Sequence, residues 1–137
     1  MISFSEFQRA DKKQLIALWQ ACKLTRSWND VDRDITFAMA SPSSTILGGW
    51  KEHQIVAATM IGHDGHRGSL YYFAVHPEFR KRGIGSALMK AAEQWLKSQG
   101  VWKINLLIRD ENMEAMGFYQ SLGFAKNAVV SMVKSIG

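Results

Sequence analysis

Hydrophobic and polar residues alternate at the start of the chain, and this period of two predicts a short strand over 2–7. The apolar residues that follow return every three or four positions, which predicts a helix with Trp19 on its buried face. A second helical stripe includes Ile35, and Pro42 ends it. The chain is therefore expected to begin with one strand and two helices.

Two apolar runs over 45–50 and 54–61, joined by a short turn, predict a pair of adjacent strands. The runs 69–75 and 101–108 are apolar at both odd and even positions, apart from polar residues in the second run. Apolar side chains on both faces are typical of central strands that are covered on each side.

A long helix is predicted between Gly83 and Gly100, and a shorter one between Asn112 and Gly123, since asparagine favours helix starts and glycine favours helix ends. The remaining segment, 124–133, is expected to form one or two closing strands. The resulting order, βααβββαβαβ, predicts an α/β domain with a mixed sheet.

The composition is that of a soluble globular protein, with 47% apolar and 21% charged residues among 137. This length predicts a single domain over residues 1–137. No segment resembles a membrane span or a signal peptide, and Cys22 is the only cysteine. We therefore expect a cytoplasmic protein without a disulfide or a membrane partner, in which Cys22 is a core residue rather than a nucleophile.

The formal net charge of +5 raises the question of nucleic-acid binding. Apart from the run Arg80 to Arg82, however, the basic residues are scattered. Proteins that bind nucleic acids usually carry a longer basic stripe, often interleaved with exposed aromatic residues. We therefore expect no nucleic-acid partner.

The basic run lies between the strand 69–75 and a helix, in the sequence His76-Pro77-Glu78-Phe79-Arg80-Lys81-Arg82-Gly83-Ile84-Gly85-Ser86. A helix start offers unpaired N–H groups and partial positive charge to a phosphate, and glycine permits close backbone approach. The run lacks the spacing of a Walker loop, and its two glycines do not make a dinucleotide fingerprint. It predicts a site for a cofactor that carries a diphosphate.

The run Arg80-Lys81-Arg82-Gly83-Ile84-Gly85 resembles the Arg/Gln-x-x-Gly-x-Gly/Ala signature of the GCN5-related N-acetyltransferases. The later run from Asn112 to Phe124, with its Phe118-Tyr119 pair, resembles the second signature of that superfamily. The resemblance covers the whole chain and is closest to the compact bacterial single-domain type. It implies a mostly antiparallel sheet whose central strands splay apart, about four helices, and direct transfer of acetyl from acetyl-coenzyme A to an amine in a ternary complex.

The resemblance also implies which residues hold the coenzyme. Backbone N–H groups after Lys81 would bind the diphosphate, and the strand end would pair with the pantetheine amides as an extended ligand does at a sheet edge. Asn112 would hydrogen-bond the pantetheine arm, although the alternative role of a helix cap is equally open. The expected coenzyme-binding residues are Phe73, Val75, Arg80, Lys81, Arg82, Gly83, Ile84, Gly85, Ser86 and Asn112.

Tyr119 is the catalytic residue that the resemblance implies, because a phenol can protonate the sulfur that leaves when the amine attacks. The alternative is an aromatic residue of the core, since Tyr119 lies on the apolar stripe of its helix. The base that deprotonates the amine is not evident. The strand 69–75 has no acidic residue, where many members of the family carry a glutamate.

The candidates for this base are Asp64 and His66 in one loop, Asp30 in another, or a water held by Tyr71 or by backbone carbonyls. Acceptor binding is expected at Trp28, Asn29, Asp30 and Tyr71, because the family commonly builds its acceptor site between the first two helices. Alternatively, Asp30 caps the second helix and Trp28 packs into the core.

These observations predict an N-acetyltransferase whose acceptor is a primary amine of a protein N-terminus, a lysine, or a small amine or amino acid. Neither a metal nor a membrane is implied, and a monomer or a homodimer is expected. The alternative is a non-catalytic module or sensor that binds coenzyme A, which the missing strand carboxylate would favour.

Overall fold

The computed structural model describes all 137 residues of the chain. It contains five strands, four helices and two short 3-10 turns. In chain order these are β1 (Ser3–Glu6), a 3-10 turn (Arg9–Asp11), α1 (Lys12–Ala21), α2 (Val31–Met39), β2 (Ser44–Lys51), β3 (Gln54–His63), β4 (Gly68–Val75), a 3-10 turn (Pro77–Phe79), α3 (Ile84–Ser98), β5 (Ile104–Asn105) and α4 (Met113–Ser121).

The strands form one sheet in the order β1-β2-β3-β4-β5. The first three pairings are antiparallel and the last, between β4 and β5, is parallel. The predicted α/β class, with a mixed and mostly antiparallel sheet and four helices, is confirmed. β5 pairs with β4 only at Gly68 and Ser69, so that the remainder of β4 has no strand partner on this side.

The core lies between this sheet and the helices that cover it. α1 and α2 bury their apolar stripes, including Trp19 and Ile35, against Ile46 of β2 and Ala58 of β3. Trp19 is completely buried, as the helical spacing predicted. α3 packs on β3 and β4, with a methyl group of Leu96 2.9 Å from the point where a Cβ on residue 68 would lie. Glycine at this position therefore allows the helix to approach the sheet closely.

β4 is interrupted by a bulge, where the pairing with β3 shifts between Ala58 and Met60. Tyr72 lies in this bulge with a φ of 53°, a left-handed conformation that is strained for a residue with a side chain. The buried Thr59 hydroxyl donates to the carbonyl of Tyr71 at 3.1 Å. Bulges of this kind redirect side chains at the edges of sheets, often beside functional sites.

Two of the predicted strands differ from the structure. The predicted strand 101–108 is reduced to β5, because only its two residues continue the ladder with β4. The closing strands predicted over 124–133 are wrong, and this segment has no regular secondary structure. Its apolar side chains, such as Val130 and Val133, are exposed. An alternating pattern favours a strand, but a strand forms only where a neighbouring backbone completes its hydrogen bonds.

The chain divides into two compact units, Met1–Asn105 and Leu106–Gly137. The first contains the whole sheet with α1, α2 and α3, and the second contains α4 and the irregular C-terminal segment. The single domain over 1–137 remains a prediction. None of the four helices has the length and apolar character needed to cross a bilayer.

Candidate functional site

The segment between β4 and α3 has the geometry of a phosphate-binding loop. Lys81 and Gly83 adopt left-handed conformations, with φ values of 63° and 76°, and α3 begins at Ile84. The first bond of the helix runs from the N–H of Ala87 to the carbonyl of Gly83 at 3.1 Å. The turn therefore brings a helix start directly behind three basic residues.

The N–H groups of Ile84, Gly85 and Ser86 have no acceptor within the protein. They lie at the positive end of the α3 dipole, which favours an anion at this point. A Cβ on Gly83 would have no heavy atom within 4 Å, so that the space beside the loop is open. The loop therefore offers backbone donors, positive charge and open space, and its role as the diphosphate site remains a prediction.

Arg80 is held at the entrance of this loop by the carbonyl of Val75, to which its Nε donates at 3.1 Å. The thiol of Cys22 donates to the same carbonyl at 3.3 Å. Burial raises the pKa of Cys22, while the neighbouring Arg80 opposes that rise. A protonated, half-buried thiol agrees with the expected structural role and helps to fix the position of Arg80.

The open edge of β4 presents backbone groups beside the loop. His76 donates to the carbonyl of Val56 on β3 at 2.8 Å. Because alternate residues of an antiparallel strand bond to opposite neighbours, the backbone groups of Val75 face away from β3. This is the edge on which the sequence predicted pairing with the pantetheine amides.

A hydrogen-bonded pair that the sequence did not reveal lies at the bulge. The hydroxyl of Tyr72 donates to Oδ2 of Asp34 at 2.8 Å, and the Tyr72 ring stacks on Trp19 with centroids 4.3 Å apart. Burial, followed by the hydrogen bond and charge of Asp34, raises the pKa of Tyr72. Asn29 and Asp30 also interact electrostatically with Tyr72.

The structure therefore brings two of the predicted acceptor residues, Asn29 and Asp30, together with Tyr72 and Asp34. Asp30 also caps α2, since its Oδ1 accepts from the N–H of Arg33 at 3.1 Å. The helix-cap interpretation is thus confirmed. Asp34 follows Asp30 by four residues, so the sequence places the two on one side of α2, but it gives no signal that links Asp34 to Tyr72.

Trp28 is 64% exposed, with the guanidinium carbon of Arg26 5.9 Å from its ring centroid. The alternative that Trp28 packs into the core is therefore wrong. Tyr71, on β4, is also about half exposed. Both remain accessible to a ligand.

Asp64 and His66 lie at the other end of β4 from the phosphate loop. Oδ1 of Asp64 accepts from the N–H groups of Arg67 and His66 at 2.8 and 2.9 Å, and these bonds lower the pKa of Asp64. Both residues precede Gly68, so that the length of β4, about 20 Å at ~3.3 Å per residue, separates them from Val75. The structure does not bring them to the loop.

In the second unit, Asn112 caps α4, since its Oδ1 accepts from the N–H of Ala115 at 3.1 Å. This confirms the cap interpretation and leaves the amide nitrogen for other contacts. Tyr119 packs edge-on against Phe118 and Phe124, with centroid distances of 5.2 and 5.8 Å. Burial raises the pKa of Tyr119 to about 12, so that its hydroxyl is protonated at neutral pH.

No three histidine, cysteine or acidic side chains lie together in a group that would hold a metal ion. The first unit holds the backbone donors, the basic side chains and one carboxylate–phenol pair, and the second unit holds a protonated tyrosine. Such groups bind anions and transfer protons.

Comparison with known proteins identifies the family and the fold. The model of the acetyltransferase (GNAT) family matches residues 10–124. Among solved structures, the aminoglycoside antibiotic 6'-N-acetyltransferase of Acinetobacter baumannii is 20% identical, with a TM-score of 0.82 and 100% coverage of both chains. The glucosamine-6-phosphate N-acetyltransferase of Arabidopsis thaliana is 21% identical, with a TM-score of 0.76, covering 100% of this chain and 99% of the other.

A third structure, AAC(6')-Iy in complex with the bisubstrate analogue CoA-S-monomethyl-acetylneamine, is 15% identical and has a TM-score of 0.84. It covers 100% of this chain and 99% of its own. At these identities the structural similarity establishes the fold.

Proposed function

The chain belongs to the GNAT acetyltransferase family and is an N-acetyltransferase that takes its acetyl group from acetyl-coenzyme A, and from this premise we propose that its acceptor is the primary amine of a small cationic molecule of the amino-sugar class. Acetyl-coenzyme A supplies the acetyl group as a thioester, which an amine can attack directly. The choice of acceptor depends on the part of the molecule that faces the bulge of β4.

The hydrogen bond between Tyr72 and Asp34 is the observation that carries this proposal. It holds a half-buried carboxylate beside the bulge, and the stacked ring of Trp19 fixes the phenol that orients it. Asp30, one helical turn earlier, adds a second negative charge on the same side of α2. Two carboxylates attract an ammonium group and favour a small acceptor that carries more than one positive charge.

The neighbouring structures support the same class of acceptor. Their names describe enzymes that acetylate aminoglycosides and glucosamine 6-phosphate, which are amines borne on sugars. The exposed ring of Trp28, next to Asn29, offers an apolar surface with polar groups at its edge. Sugars bind to surfaces of this composition, because their C–H faces contact the ring while their hydroxyls bond to amide and carboxylate groups.

On the donor side, the N–H groups of residues 82–86 bind the diphosphate, and Arg80 and Lys81 add positive charge. The backbone of Phe73 and Val75 pairs with the pantetheine amides along the open edge of β4, and the amide of Asn112 bonds to the same arm. The support for this assignment is the unpaired N–H groups of the loop and the N–H of Val75, which faces away from β3.

Two side chains transfer protons in the proposed reaction. Asp34 accepts a proton from the incoming ammonium and releases it to solvent. Tyr119 donates its hydroxyl proton to the sulfur as the new nitrogen–carbon bond forms and the carbon–sulfur bond breaks. Solvent then carries the second proton of the nitrogen back to Tyr119. Tyr119 is protonated at neutral pH, as a donor must be. A phenol with an ordinary pKa would be protonated as well, so the support for this role is the position of Tyr119 in the second signature, and not its raised pKa.

Asp34 suits the role of base better than the candidates that the sequence suggested. Asp64 bonds to its own loop at the far end of β4, and His66 lies beside it. Asp30 uses one oxygen to cap α2 and is exposed, whereas Asp34 is half-buried next to the bulge. The remaining candidate is a water held by Tyr71. Because Tyr71 directly precedes Tyr72, this water would place the proton transfer at the same part of β4 as Asp34 does.

The test is thioester consumption by the full chain with a panel of amines. The panel contains neamine, sisomicin, glucosamine 6-phosphate, free lysine and a peptide with an unblocked N-terminus. We expect turnover with the amino sugars and little with the peptide. Preference for the peptide would overturn the assignment of the acceptor, and no turnover with any amine despite tight coenzyme binding would support the non-catalytic module instead.

A further inference from the structure

We propose that Lys51, Phe79 and Arg82 form a second phosphate site, which binds the 3'-phosphate of coenzyme A and selects this coenzyme over its 3'-dephospho form. The proposal rests on the function given above, since it requires the diphosphate to occupy the loop before α3. It assigns a specificity role to Lys51, which lies 29 positions before the basic run in sequence.

The observation is that two cations share one aromatic ring at the entrance of the phosphate loop. Nζ of Lys51 lies 5.4 Å from the ring centroid of Phe79, and the guanidinium carbon of Arg82 lies 5.1 Å from the same point. Phe79 is half-buried, whereas both basic side chains are exposed. Cation–π attraction holds each charge near the ring, and the two distances to the centroid place the charges at most about 10.5 Å apart.

No carboxylate neutralises this pair of charges. The ion pairs of the chain are Lys12 with Asp32 and, at 4.0 Å, His76 with Glu78. Glu52 is adjacent to Lys51 in sequence, yet it forms no ion pair with it. Like charges held together without a counter-charge repel each other, and an anion that binds between them relieves this repulsion.

Lys51 is placed by an ordered part of the fold. It is the last residue of β2, where it pairs with Gln54 across the hairpin. The side chain of Gln14, on α1, clamps this hairpin by donating to the carbonyl of His53 and accepting from the N–H of Ile55, each at 3.1 Å. The backbone at Lys51 is thus fixed relative to α1, and its side chain spends less entropy in reaching a ligand.

The chemistry of the coenzyme matches this placement. Its 3'-phosphate and its diphosphate are attached to the same ribose, so that both must lie within the span of one sugar. A phosphate monoester carries a charge of about −1.5 to −2 at pH 7, which two cations can balance. Arg82 offers a fork of donors and Lys51 a compact point charge, and both bind phosphate oxygens well.

The experiment is isothermal titration calorimetry of the full chain with coenzyme A and with 3'-dephospho-coenzyme A. The wild type should bind coenzyme A about 10-fold more tightly, as expected for one charge-assisted contact. Lys51→Met should lose this preference while its affinity for dephospho-coenzyme A changes less than about 2-fold. Phe79→Leu, which retains both cations but removes the ring between them, should reduce the preference in part.

Lys97→Met is the matched control, because Lys97 is an equally exposed lysine in the last turn of α3, at the end of the helix away from the loop. It should keep the wild-type preference. Two results would overturn the second site and leave the diphosphate loop intact. One is equal affinity of the wild type for the two ligands, and the other is an equal loss of affinity for the two ligands in Lys51→Met. Failure of the wild type to bind either ligand would overturn the loop and the second site together.

Discussion

Tyr72 and Asp34 are 38 positions apart in sequence, and the hydroxyl of the tyrosine donates to the carboxylate of the aspartate at 2.8 Å. Tyr72 has a left-handed backbone within a bulge. Both the strain and the hydrogen bond are maintained by the packing around them, since Trp19 stacks on the phenol and Thr59 bonds to the carbonyl of Tyr71. The bulge is thus supported from two sides, and it holds the Asp34 carboxylate in the place where the proposed function needs a base.

Replacement of Asp34 by asparagine should lower kcat/KM for an amino-sugar acceptor by about 10-fold or more, because the carboxamide keeps an acceptor for Tyr72 but loses the charge. The affinity for coenzyme A should not change. Asp32→Asn is the control, because Asp32 pairs with Lys12 instead of Tyr72. Equal losses of kcat/KM in the two variants would show that Asp34 only adds to the negative charge at the start of α2, which attracts a cationic acceptor without acting as a base.

Replacement of Tyr119 by phenylalanine should lower kcat by about 100-fold, since a positioned proton donor typically contributes that much. The affinity for coenzyme A, measured by calorimetry, should stay within the error of the wild type. Wild-type kcat in the Tyr119 variant would indicate that the sulfur leaves without its help and that the residue is part of the core.

The pKa of about 12 for Tyr119 also predicts how stability depends on alkaline pH. The folded state keeps the proton to a higher pH than the unfolded chain, where tyrosine titrates near 10. The free energy of unfolding should therefore fall between about pH 10 and 12 as the unfolded state loses its proton first. Urea denaturation at pH 9 and 11 should show a smaller fall in Tyr119→Phe than in the wild type.

Replacement of Gly83 by valine should weaken coenzyme binding, because the side chain would stand where the diphosphate approaches the backbone. The left-handed φ of 76° also predicts a loss of about 1–3 kcal/mol in the free energy of unfolding. Gly65→Val separates the two effects, since Gly65 has a φ of 84° and equally open space around it. Both variants should lose stability, but only the Gly83 variant should lose affinity.

Replacement of Arg80 by alanine should lower the affinity for coenzyme A by about 10-fold. The affinity for a phosphate-free pantetheine thioester should fall less. The reason is that the guanidinium is directed by the carbonyl of Val75 towards the phosphate loop. Arg9→Ala, on the 3-10 turn before α1, serves as the exposed control. Equal losses of affinity for the two ligands would mean that Arg80 stabilises the fold and does not contact the phosphates.

The sequence alone was sufficient for the features that depend on local chemistry. The basic run with Gly83 predicts the helix start that the structure contains, and the hydrophobic periods predict four helices and the three long strands. Binding of a diphosphate at this helix start stays a prediction. The cap at Asn112 follows from the same kind of local hydrogen bonding. These features need only neighbours within a few residues, which the chain specifies by itself.

The tertiary structure alone decided the features that depend on distant residues. Asp34 was not recognised because nothing local links it to Tyr72, and Lys51 was not recognised because only the folded hairpin brings it to Phe79. The segment 124–133 shows the converse, since its alternating pattern favours a strand and yet no ladder forms. A pattern sets the preference of each residue, but pairing, charge and catalysis require a partner that only the three-dimensional packing supplies.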